Sequence, residues 1–156
     1  MRPLAAALAA LLIALPLAAL AQGAAETALI AQVNAARAQA GLKPVVAEAR
    51  LTRVAAAHAA DMAKNGFVGH AGSDGAGMIE RTLRAGYGYA YIAENVAGGQ
   101  PNAQAALATW LASGSHRRNL LAPEATQCGV GHAVEGGRTP KYGDYWVIVL
   151  GAPATP

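Results

Sequence analysis

Apolar positions recur along this chain with two different periods, and the change of period separates a helical first half from a strand-rich end. Across residues 26–40, Leu29, Val33, Ala36 and Ala40 return every three or four positions, which puts them on one face of a helix. Gly41 and Pro44 stop it. A second stripe, Leu51, Val54, Ala55, His58 and Met62, predicts a helix over 48–65 with Gly66 as its C-cap. A Gly/Ser/Asp loop over 69–77 leads to a short helix over 78–85, ended by Gly86. Residues 87–91 are aromatic and glycine-spaced, and feed a strand over 92–97 that Gly98 and Gly99 terminate. Pro101 and Asn102 open a helix to Ala112 with Ala103, Ala106, Leu107 and Trp110 on one face. Ser115 is placed to cap a further turn through Leu121. Residues 126–134 and 142–150 read as the two best strands. Gly136 and Gly137 lie between them, so they pair as an antiparallel hairpin with a loop too long for a tight turn. Three strands expose two faces, and helices before and between them can cover both. The expected class is α+β, a three-layer α-β-α sandwich around a small, mainly antiparallel sheet.

The N-terminus breaks this pattern. Met1-Arg2-Pro3 supplies a positive start, an apolar run follows to Leu20, and Ala19-Leu20-Ala21 is a small-x-small cleavage signature. Residues 1–21 are therefore expected to be a signal peptide cut after Ala21, with an uncleaved anchor as the alternative. No cysteine follows the run, which argues against a lipoprotein. Residues 22–156 then form a single domain with its core at about 29–151. The product is expected to be secreted or periplasmic and monomeric, with no transmembrane span after signal cleavage.

Charge adds an exclusion. Twelve Lys and Arg against nine Asp and Glu give a net charge of +3, with no basic run and no aromatic-basic interleaving, so nucleic acid is not an expected partner. The single cysteine, Cys128, rules out an intramolecular disulfide, and the domain must hold itself by packing. Its apolar strand context predicts a buried, inert thiol.

Against this alanine-rich background three polar islands stand out: Phe67-Val68-Gly69-His70, Glu94-Asn95-Val96-Ala97, and Ser113 through Asn119, which carries His116. Two imidazoles on separate segments can converge on one ion, and two His with one Glu leave a position open for water. The spacing alone is weak, and two half-exposed histidines in polar loops is the plain alternative. Glu94 sits where strands disfavour glutamate and needs a partner, such as Arg117. Asn95 is suited to satisfying backbone groups. His58 lies on an apolar stripe and reads as a core histidine, His132 as structural or exposed, and Glu80-Arg81 as a local or interhelical ion pair. Ser113 and Ser115 suit helix ends. No G-x-S-x-G elbow, phosphate loop or dinucleotide fingerprint is present.

In order, Leu29-x4-Asn34-x2-Arg37, Leu51-x3-Ala55-x2-His58-Ala59-x-Asp61-Met62, Phe67-Val68-Gly69-His70, Gly86-Tyr87, Glu94-Asn95-Val96-Ala97-x-Gly99, Trp110-x2-Ser113-Gly114-Ser115-His116-Arg117-x-Asn119-Leu120-Leu121, Gly129-Val130-Gly131 and Tyr145-Trp146 together resemble the CAP superfamily. That superfamily comprises cysteine-rich secretory, antigen 5 and pathogenesis-related proteins, and the resemblance is to its short, disulfide-free bacterial branch, also called SCP-like. It implies an α-β-α sandwich with a central cleft carrying two histidines and two glutamates. His70, Glu94 and His116 match three of these. The fourth position is Ser113 here, and Glu80 is a candidate to fill it in space. The implied function is an exported binding module. Its cleft, lined by His70, Glu94, Asn95, Ser113 and His116, would hold zinc or another divalent metal through His70 and His116, with Glu94 as a candidate third ligand. The ligand would be a small molecule, a lipid or an envelope component. The rival is a metal-dependent hydrolase of peptide or cell-envelope substrates, with Glu94 taking the proton. A family fold does not by itself settle function.

Overall fold

The computed structural model describes residues 17–138 and 140–155. Most of the predicted signal peptide lies outside them. In chain order the elements are α1 (Leu17–Gln39), β1 (Val46–Ala47), α2 (Ala49–Asn65), α3 (Met78–Arg84), β2 (Tyr89–Gly98), α4 (Ala103–Ala112), α5 (Gly114–Leu120), β3 (Gln127–Val134) and β4 (Asp144–Pro153). Among the described residues no helix is long and apolar enough to cross a membrane.

Local chemistry accounts for the helix ends. Glu48 caps α2, its carboxylate accepting from the backbone N–H of Arg50 and Leu51, and Gly66 closes the helix in the left-handed region at φ 65°. Asn102 caps α4 by accepting from Ala105 N. The start of α5 differs from expectation: Ser113, not Ser115, occupies its N-cap, and neither hydroxyl caps the backbone. Ser113 Oγ instead lies 3.3 Å from Ser115 Oγ.

The sheet has four strands in the order β1-β3-β4-β2. β3 and β4 pair antiparallel, as do β4 and β2, whereas the unanticipated β1 adds two residues parallel to β3. A two-residue strand leaves no periodicity to read, so only the neighbour's backbone defines it. β4 lies inside the sheet and is buried on both faces. Trp146, Ile148 and Leu150 pack with Leu29 and Val33 of α1 and Ala106 and Trp110 of α4. Tyr145, Val147 and Val149 pack with Leu51, Val54, Ala55 and Met62 of α2. The period-2 alternation of one strand thus feeds two cores, and the three-layer α+β sandwich follows.

Gly129 and Gly131 set the spacing of one layer. A Cβ on either would fall 2.0 or 2.4 Å from the backbone of Leu51 or Ala55, so α2 lies directly on β3. On the other side Arg37, 1% exposed, donates to the carbonyls of Lys43, Leu120, Ala122 and Ala125, and so ties the α5–β3 connection to α1. Cys128 is fully buried, as expected.

Candidate functional site

β2 ends the strand order, so one side of it is open and segments from both helical layers can meet over it. Successive side chains of a strand point to opposite faces. Glu94 pairs in register with Val149, on the α2 side, and Asn95 with Ile148, on the α1–α4 side. Each anchors one histidine-bearing segment. Glu94 Oε1 accepts from His70 Nδ1 at 2.9 Å. Asn95 is fully buried; its Nδ2 donates to the His116 carbonyl at 3.0 Å and its Oδ1 accepts from Asn119 Nδ2 at 2.8 Å. The loop after α2 and the first turn of α5 are thereby fixed to adjacent residues of one strand.

Glu94 is more buried than the sequence suggested, with a side chain 1% exposed. Its partner is Arg81 rather than Arg117: Arg81 Nη2 donates to Glu94 Oε2 at 2.8 Å. Arg81 Nη1 also donates to the carbonyls of His70 and Ala76, at 2.8 and 2.7 Å. The ion pairing expected at Glu80-Arg81 is local for Glu80, which pairs with Arg84 four residues on and so is committed there rather than to the vacant fourth position of the resemblance, while Arg81 reaches across to β2. Arg81 is the member of this cluster that sequence reasoning did not connect to Glu94. A glutamate inside a buried strand called for a cation, but nothing local named which one.

Beneath the His70 loop, His58 is buried as predicted, and its Nε2 donates to the Gly69 carbonyl at 2.7 Å. That bond leaves Nδ1 bare, and among the described residues Nδ1 has no partner. Burial pushes the His58 pKa down, only partly offset by the bond to Gly69. The His116 pKa is also lowered, first by burial and then by the charge of His70. Nδ1 of His116 is buried without a hydrogen bond among the described residues, and the side chain of His70 is 58% exposed. Among the described residues the Ser113 hydroxyl is placed only against that of Ser115 and does not join the cluster. His132 bonds Asp144 and stacks on Trp146, a structural role. Among the described residues no group of three or more His, Cys, Asp or Glu is arranged to hold a metal ion.

Separately, three adjoining cavities of about 420, 490 and 470 Å³ run along α1, α4 and α5. The first shares Leu111 with the second and Arg117 with the third.

A two-core sandwich with a histidine-bearing segment on each side of an edge strand defines a fold and a site rather than one reaction. The chain belongs to the CAP, or cysteine-rich secretory protein, family, whose model matches residues 30–150. It is 30% identical over 111 residues to the uncharacterized protein YkwD of Bacillus subtilis (strain 168), covering 71% of this chain and 43% of that protein. It superposes with TM-score 0.73 at 25% identity on an extracellular protein containing a SCP domain from Bacillus anthracis str. Ames, covering 83% of this chain and 41% of the other. An outer surface protein from Borrelia burgdorferi gives TM-score 0.72 at 20% identity, covering 82% of this chain and 92% of the other. The chain thus spans less than half the length of YkwD and of the Bacillus anthracis protein.

Proposed function

We propose that this chain is an exported CAP-domain binding module whose recognition centre is the His70–His116 pair, able to hold a divalent ion such as zinc. One observation carries the choice of binding over hydrolysis: both oxygens of Glu94 are committed, one to His70 and one to Arg81. A carboxylate so engaged has no lone oxygen facing water with which to act as a base. It is placed instead as carboxylates stand behind metal-binding imidazoles, fixing tautomer and ring orientation. Two imidazoles are a sparse donor set, fit for an ion whose remaining positions belong to water or ligand. His70 and His116 would hold it through Nε2, since Nδ1 of the first faces Glu94 and Nδ1 of the second is enclosed. A bound ion would supply a positive charge that draws an oxygen of the ligand. Export is supported by the leader-like N-terminus and by the extracellular and outer-surface descriptions of the similar structures.

The test is a zinc titration followed by thermal unfolding near neutral pH. An ion that binds only the folded state raises Tm. His70→Ala and His116→Ala should each remove that gain, and Glu94→Gln should weaken it without abolishing it. The gain should fade below about pH 6 as imidazoles protonate. No shift with zinc, or shifts untouched by either histidine variant, would refute the reading. Turnover of peptide or envelope substrates that Glu94→Gln abolishes would favour the hydrolase.

A second reading concerns lipid. The adjoining cavities along α1 and α4 are lined by Ala36, Leu107 and Leu111, and Arg117, which has no ion-pair partner among the described residues, stands where two of them meet. An acyl chain with an anionic head suits that pattern. Binding of a fluorescent fatty acid that Leu111→Trp blocks and Arg117→Glu weakens would support it.

A further inference from the structure

We infer that Arg81 is the positioning residue of the histidine site: its guanidinium fork sets the conformation of the His70 loop and directs the ring so that Nε2, not Nδ1, is offered to a ligand. The inference rests on the metal-binding reading above and assigns the part of the site that carries no ligand atom.

Three contacts support it. Arg81 Nη1 donates to the carbonyl of His70 itself and to that of Ala76, bracketing the loop at both ends. Arg81 Nη2 holds Glu94 Oε2, so the other oxygen, Oε1, is turned to accept from His70 Nδ1. One planar group therefore fixes the backbone and, through Glu94, the ring of the same histidine. Lysine, a point charge, cannot match this fork. His58 assists from below through its bond to the Gly69 carbonyl, one residue before His70. The loop tip itself has little packing to hold it, since Ala71, Ser73, Asp74 and Gly75 are exposed. Polar clamps must supply the order that a core would otherwise provide.

The carboxylate can only accept, so His70 must carry its proton on Nδ1, and the carbonyl of Gly69 requires His58 to carry its proton on Nε2. The two histidines are thus expected in opposite tautomers, an assignment that needs no metal to be observed.

The experiment is 15N NMR of the imidazoles in the full chain at about pH 8, where histidines are neutral, together with zinc affinity by competition titration. In the wild type His70 should show the Nδ1–H form and His58 the Nε2–H form. In Arg81→Gln the His70 signals should move to a solution-like mixture, and zinc affinity should drop by about tenfold or more, the usual effect of losing an outer partner. Arg81→Lys keeps the charge beside Glu94 but cannot span both carbonyls, so both measures should be intermediate. If Arg81→Gln does not fold, Arg81→Lys decides alone. Wild-type tautomer and affinity in a folded variant would overturn the inference. Failure of the wild type to bind zinc overturns the binding proposal instead, and the tautomer measurement still decides the role of Arg81.

Discussion

Arg81 and Glu94 form an ion pair between α3 and β2, 2.8 Å from Nη2 to Oε2, with side chains 12% and 1% exposed. A carboxylate enclosed this far needs a charged or hydrogen-bonding partner, and the Arg81 guanidinium supplies it. The pair therefore governs stability as well as the site. Removing one member strands the other, typically at about 3–5 kcal/mol. Arg81→Met should lower stability by that order, and Glu94→Gln in the same chain should restore a substantial part. Urea unfolding of the four proteins of this double-mutant cycle checks it, and additive losses would show that the two side chains are not coupled.

Glu48 gives a pH dependence with a defined sign. Burial pushes its carboxyl up, but the N–H groups of Leu51 and Arg50 and the Arg50 guanidinium together outweigh that and hold it below the ordinary range. A folded-state pKa below the unfolded one contributes stability above about pH 4.3, the unfolded value, and loses it as pH falls through the folded value. Glu48→Ala should cost about 1 kcal/mol at neutral pH, the usual value of a cap. The gap from wild type should close in acid; a gap constant across that range would count against the cap.

Gly131 should tolerate no side chain. A Cβ there meets backbone atoms of Ala55 and Ala56 at 2.4 Å, and backbone cannot swing aside as a side-chain end can. Overpacking typically costs about 1–3 kcal/mol, and Gly131→Ala should reach or exceed the top of that range. Gly136→Ala, with nothing within 4 Å, should stay within about 0.5 kcal/mol. Thermal unfolding of the two variants side by side provides the comparison.

Cys128 should resist modification in the folded protein. Its thiol is pushed up to about 11 by burial, with Arg37 opposing, and it is fully enclosed. Labelling by a thiol reagent should proceed at the rate of global opening and accelerate in urea in step with unfolding. Fast labelling in native buffer would place the sulfur at the surface.

Much of the architecture was legible in the chain. Stripes of period 3.6, alternation of period 2, the C-cap Gly66 and the helix opener Asn102 are local facts, and they placed α2, α4, β3 and β4 to within a few residues, whereas Glu48, read as the first residue of its helix, proved to be the N-cap. Helices before and between the strands were expected to cover both faces of the sheet, and β4 is buried at successive positions as that cover requires. What the chain could not state was pairing across distance. Glu94 needed a partner, for which Arg117 was the example drawn from the sequence, and only the approach of α3 to β2 made it Arg81. His70 and His116 were two polar histidines until β2, at the sheet edge, presented Glu94 to one layer and Asn95 to the other. Periodicity records which face of an element avoids water. The identity of a charged partner depends on how separate elements approach, and only the folded chain sets that distance.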